Sequence, residues 1–204
     1  MSVKAESGDE GHAPRPRRTQ GERRATTRAA LIAAGRELFA RKGFASAGRE
    51  EIVERAGVTR GAMYHHFESK EALFQAVYET VEQEVLAQVV QAAGAATDPK
   101  EMLRLGSLAY LDVAASEEVR RICLLDAPSV LDPEVRRELA EGHGLGVIRA
   151  ALRECMAAGL IRTQPVDTLA HLYMAALLEA ATLVAEGRDR AEVGAVLDDF
   201  LESL

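Results

Sequence analysis

The stretch AGVTRGAMYHHFESK, residues 56–70, leaves the backbone few paths. Gly57 ends a preceding helix, because glycine enters the left-handed conformation of a C-terminal cap without steric penalty. Thr59 then offers a hydroxyl to the orphan N–H groups of a new helix, and Ser69 does the same for the next one. Between those caps only a short helix fits, ending on an apolar anchor at Phe67. A helix, a tight glycine-containing turn and a short second helix form a helix-turn-helix, whose second helix enters the DNA major groove.

The composition of that short helix agrees. Val58, Met63 and Phe67 supply an apolar face to hold it from behind. Arg60, Tyr64, His65 and His66 supply donors for phosphates and base edges on the other face. Gly61 lets the backbone approach DNA closely.

The rest of the chain reads as helix. Aromatic residues are 4% and Trp is absent, so strand formers are scarce. TTRAALIAAGRELFARKGF, residues 26–44, places Leu31, Gly35, Leu38 and Phe39 at helical spacing with Gly43 as a stop. REEIVERAG precedes the turn, and a long helix follows Ser69. Asp98, Pro99 and Glu101 predict a capped start, Asp132 with a proline another, and Asp189 with Glu192 a capping box. The expected fold is all-α: a tail over 1–20, a three-helix head over 21–70 and a helical body over 71–204.

Charge separates the regions. Residues 1–70 hold 14 Lys+Arg against 9 Asp+Glu, while the remainder holds 11 against 23. A basic first third on an acidic remainder points to a polyanion at one end only. Arg15, Arg17 and Arg18 lie in the polar tail, placed for an adjacent groove or for electrostatic steering. No unbroken apolar run nears the roughly 18 residues of a membrane span, and the N-terminus lacks a signal-peptide core. Cys123 and Cys155 form no disulfide framework. A cytoplasmic chain with no membrane partner is expected.

These residues and their spacing resemble the tetracycline-repressor (TetR) family of transcriptional regulators, over about Arg24 to Leu73. The resemblance rests on ALIAAGRELFARKGF followed by EEIVERAGVTRGAMYHHFESKEALF. It implies phosphate or groove contacts at Tyr64 and His66, a phosphate-binding lysine at Lys70, and operator-dependent positions at Arg60, Gly61 and His65. It also implies a body enclosing a cavity for a small effector, with repression lifted when the effector binds. Two departures stand out: Ala47 and Gly48 where the family often has hydroxyl residues, and Ala62 where threonine is frequent.

Other chemistry finds little footing. GHGLGV, residues 142–147, lacks both the spacing of a dinucleotide loop and a preceding strand, and reads as a helix break. His65 and His66 are adjacent and diverge on a helix, so they do not chelate one metal. No cofactor is expected. An enzyme would need convergent ionisable groups, and a helical adaptor would need no donor face; operator footprinting separates both from a regulator.

Within the body, Met102, Leu105, Leu108, Cys123, Leu125, Met156 and Met174 are candidates for an effector wall, with Tyr110, His143 and His171 as polar groups. Ordinary core packing accounts for the same residues. Palindromic DNA needs two reading heads, so a homodimer is expected through the last two helices. Ala176 and Ala180, beside Ala175 and Ala181, would permit close helix approach, and Val193, Val196, Leu197 and Phe200 form a stripe continued by Leu201 and Leu204. The alternative is that these stripes complete the protomer's own core.

Overall fold

The structure, a computed structural model, describes residues 19–204. Arg15, Arg17 and Arg18 of the tail lie outside the described residues. No strand occurs among those described.

Helix starts follow the caps. Thr19 opens α1 (Gln20–Ser46) with a full capping box, since Thr19 and Glu22 exchange main-chain N–H bonds at 2.7 and 3.2 Å. This start precedes the apolar pattern at Leu31, because residues 20–26 are exposed and carry no buried stripe. At Gly43 the backbone turns to φ +77°, and the Arg121 guanidinium fills the space a side chain would need. α2 (Arg49–Ala56) starts at Gly48, which offers no side-chain cap. α3 (Arg60–His66) is capped by Thr59 and α4 (Lys70–Ala93) by Ser69.

Asp98 caps α5 (Pro99–Ala114), but Glu101 does not complete the expected box there. Its carboxylate takes both donors of Thr97 instead, the N–H at 2.8 Å and the hydroxyl at 2.7 Å. Two donors on one residue outcompete the single N–H of the cap. The short α6 (Glu117–Val119) runs into a π-helical segment, Arg120–Asp126, and then α7 (Ala127–Val130). α8 (Pro133–Gly142) and α9 (Gly144–Ala157) meet at His143, so GHGLGV is a helix junction. α10 (Val166–Ala185) and α11 (Arg190–Glu202) complete the body; Asp189 caps α11 through the N–H of Ala191 alone.

One apolar cluster runs through both ends of the molecule. Around α1 to α3, Leu38, Phe39, Ile52 and Met63 are buried together with Leu73 and Phe74 of α4, and Phe39 and Phe44 meet Phe74 at 5.2 Å in edge-on contacts. Such pairs add about 0.5–1.5 kcal/mol beyond area burial. In the body α10 packs against α5, α9 and α11. Its buried Tyr173 hydroxyl meets the Ser107 hydroxyl at 2.8 Å, satisfying both groups. Arg36 ties α1 to α4 and α6 by forked bonds to Glu84 and Glu118 at 2.6–2.8 Å.

α10 is long and apolar enough to cross a membrane, with mean hydropathy 1.5 over its best window. Asp167 and Glu179 interrupt it, and it packs on three helices of the same chain.

Three expected interface positions face inward. Ala180, Ala181 and Leu197 are 7% exposed or less, because α10 and α11 turn them onto the protomer's own core. Leu201 is buried the same way, and Val193, Phe200 and Leu204 pack against that core half-buried. Phe200 stacks on Tyr173 at 6.1 Å. Of the stripe on α11, Val196 is the outward member, 66% exposed.

Candidate nucleic-acid interface and ligand cavity

The turn between α2 and α3 is set by Gly57 at φ +65°, ψ +33°. There the Val58 N–H returns to the Val53 carbonyl at 3.1 Å, and two residues later Thr59 accepts the Ala62 N–H at 3.2 Å. Met63 and Phe67 anchor α3 from behind at 1% and 5% exposure. Arg60, Gly61, Tyr64 and His65 face outward, and His66 is half-buried.

The exposed face is more basic than the short helix alone suggests. The Tyr64 hydroxyl lies beside Arg60 and Arg49; donation from Arg60 first, then the charges of both, hold its pKa below the ordinary phenol value. Arg60 is shared with Glu50 at 3.7 Å. His66 lies near Arg24 and Arg28 of α1; partial burial first, then these cations and His65, lower its pKa. Arg28 also stands 5.2 Å over the Phe67 ring. The Arg24 and Arg28 pair, one helical turn apart, was readable in the sequence, but without apolar residues the start of α1 gave no face to place it on.

Lys70 has a structural role beside its expected one. Its ammonium points into the fold, donating to the carbonyls of Phe44 at 2.8 Å and Ala47 at 3.2 Å, and lies 4.2 Å over the Phe44 ring. The open end of α1 presents carbonyls that draw the cation inward. Lys70 therefore joins α4 to α1, with at most one ammonium proton left for a phosphate. Gly48 leaves open space where the missing hydroxyl would stand.

In the body a cavity of about 470 Å³ lies between α4, α5, the π segment, α8, α9 and α10. Such a volume falls in the range of small-molecule sites, roughly 300–1,000 Å³. Met102, Tyr110, Cys123, His143 and Met174 are on its wall. Leu105, Leu108, Leu125, Met156 and His171 are not. α5 turns residues 102, 106 and 110 to the cavity, which sends Leu105 and Leu108 elsewhere; Leu108 meets α11 at Gly194. Leu125 is 40% exposed, Met156 packs on the core, and His171 is exposed with its ring tied to the Asp167 carbonyl at 2.8 Å.

The main wall is one the sequence reading passed over. Tyr78, Glu82, Val85, Val89 and Ala93 recur along α4 at helical spacing and all line the cavity. A carboxylate inside an apolar stripe was the available signal. Burial raises the Glu82 pKa, opposed by the neighbouring Cys123 thiol and by His143. Burial pushes the pKa values of Tyr78 and Tyr110 up as well, and Cys123 is raised by burial and by Glu82. Both cysteines are free and buried. Among the described residues no group of three metal-binding side chains forms.

Comparison with known proteins agrees with this arrangement. Residues 31–77 match the family of bacterial regulatory proteins described as tetR, and residues 100–204 match the tetracyclin repressor-like C-terminal domain. A TetR-family transcriptional regulator from Pectobacterium atrosepticum superposes with a TM-score of 0.73 at 31% identity, covering 91% of this chain and 95% of that one. The transcriptional repressor AcnR of Corynebacterium efficiens is 28% identical over 192 residues, 87% of this chain and 92% of its own length. The transcriptional activator FasR of Mycolicibacterium smegmatis is 30% identical over 112 residues, 55% of this chain. The chain spans about half the length of that relative, 51%.

Proposed function

This chain belongs to the TetR family of DNA-binding transcriptional regulators, and on that premise we propose a homodimeric repressor released from a palindromic operator by a small molecule. α4 is the observation that carries the reading. It begins at Lys70, four residues after α3 ends, and lines the cavity from Tyr78 to Ala93. Its 24 residues span about 36 Å, so a tilt at the cavity end moves the reading head.

In this reading residues 21–70 are the head and 71–204 the regulatory body. Arg60, Tyr64, His65 and His66, with Arg49 beside them, meet phosphates and base edges, while Gly61 allows close approach. Two heads must lie about 34–36 Å apart to dock in successive major grooves, so a small change in separation disfavours binding. The effector must prefer the released form, because equal affinity for both forms shifts nothing. One relative's name says activator and another's repressor; repression is the family's usual mode. Such a regulator works on DNA in the cytoplasm.

Selecting bound duplexes from a random pool tests the reading. A palindromic consensus, footprinted by the wild type and lost with Arg60→Ala plus Tyr64→Ala, is expected. Enrichment of no sequence by a folded protein would overturn it.

A further inference from the structure

Glu82 lines the cavity from the middle of the apolar α4 stripe, and no ion pair among the described residues includes it, although His143 and Arg136 line the same wall. Cys123 stands on that wall too. Tyr78 and Tyr110 stand on the same wall, and Tyr110 is buried. His143 uses Nδ1 on the Leu139 carbonyl at 2.6 Å, so in its neutral form Nδ1 carries the proton and Nε2 is an acceptor. The pole around Glu82 is therefore rich in acceptors and aromatic faces.

Resting on the reading that a small molecule fills this cavity, we propose that it is an apolar organic cation, an amine or quaternary ammonium, whose positive centre sits against Glu82 and the tyrosine rings. Glu82 is half-buried in an apolar wall, where a carboxylate without a cation is costly and a bound cation offsets that cost. Tyrosine faces attract the same charge. Val85, Val89, Leu103, Ile148, Met174 and Leu177 surround the ligand's apolar part. A carboxylate would face like charge at Glu82, and a neutral alcohol would leave Glu82 uncompensated.

The competing anchor is Arg136, whose Nε is buried without a partner on the same wall. Arg136 belongs to α8, which packs on α9. Glu82 lies on the helix that reaches the reading head, where a ligand charge acts on the device it must move.

Calorimetric titration of the full chain with decyltrimethylammonium, decanol and decanoate, below micellar concentrations, decides between them. The ammonium compound is expected to bind at least about tenfold tighter than decanol, the scale of a desolvated charge pair. Glu82→Gln should abolish that preference and leave decanol binding unchanged. Tyr110→Leu, a second variant independent of the carboxylate, should weaken the ammonium compound selectively. Equal binding of all three, or an ammonium affinity unchanged in both variants, overturns the proposal. Tighter decanoate binding that is lost in Arg136→Met overturns it in favour of an anionic ligand. Operator release by decanol or decanoate in those cases leaves the ligand-responsive reading standing. Absence of binding by all three overturns the cation proposal, and the operator selection above judges the regulator independently.

Discussion

The Asp126 carboxylate accepts the main-chain N–H of Phe44 at 2.7 Å, joining residues 82 apart in sequence. The carbonyl of the same Phe44 accepts the Lys70 ammonium at 2.8 Å. Arg121 covers Gly43 and stands 3.5 Å from Asp126. Arg121 and Asp126 belong to the π segment that also presents Cys123 and Leu124 to the cavity. The end of α1 is thus gripped from the body on one side and from the start of α4 on the other. π turns recur at functional sites, and this one places a cavity wall and a clamp on seven residues.

Asp126→Ala should strand the part-buried Phe44 N–H and free Arg121. A loss of about 1–3 kcal/mol in folding stability is expected, the scale of an unsatisfied buried donor. Operator affinity without ligand should change little, while the ligand's power to release DNA should fall. Chemical denaturation and operator titration with and without ligand check both parts. Full release in a folded Asp126→Ala protein would show that the clamp does not transmit.

Glu82 makes stability depend on pH in an unusual direction. Burial raises its pKa above 4.5, so the folded state holds the proton more tightly than the unfolded one. Its contribution is then most favourable below 4.5 and is lost as pH rises through the folded-state value. Glu82→Gln should melt higher than wild type at neutral pH, with the difference shrinking toward zero as pH falls below 4.5. Melting curves across that window measure it. A variant less stable than wild type at neutral pH would mean the carboxylate is already compensated.

Local chemistry was legible in the sequence and rotation was not. Gly57, Thr59, Ser69, Asp98 and Asp132 act as read, because a cap depends on its own turn. Which face a helical residue presents depends on distant packing. Leu105 and Met102 are both apolar residues of one helix, yet only Met102 reaches the cavity. Leu197 and Val196 are neighbours, and one is 5% exposed, the other 66%. The inward bonds of Lys70 were hidden for a related reason: the carbonyls that capture it belong to a helix end 23 and 26 residues earlier.

Tyr64→Phe removes one hydroxyl beside Arg49 and Arg60 and leaves the ring in place. Operator affinity should fall by about 1 kcal/mol, roughly fivefold, as for one hydrogen bond. Arg49→Ala should weaken all sequences alike and reduce the salt slope by about 1, the signature of a phosphate contact. Arg60→Ala should alter sequence preference too. Fluorescence anisotropy over a salt series separates these outcomes, and unchanged slopes would remove Arg49 from the interface.

The homodimer is best tested away from the residues the sequence suggested. A charge at Val193 or Phe200 would disturb the protomer, since both pack on its core. Leu172 on α10 and Val196 on α11 are 60% and 66% exposed instead. Only 39% of the apolar window of α10 is buried in the single chain, leaving a hydrophobic face that a second copy would cover. Leu172→Glu with Val196→Glu should leave folding intact, because neither side chain supports the core. The same pair should dissociate the particle, since desolvating each unpaired carboxylate in an interface costs several kcal/mol. Sedimentation at micromolar concentration should show wild-type dimers and variant monomers. The monomer should also lose the full operator, because one head reaches only a half-site. A wild-type monomer under those conditions, or a double variant that stays dimeric, would place the second copy elsewhere or remove it.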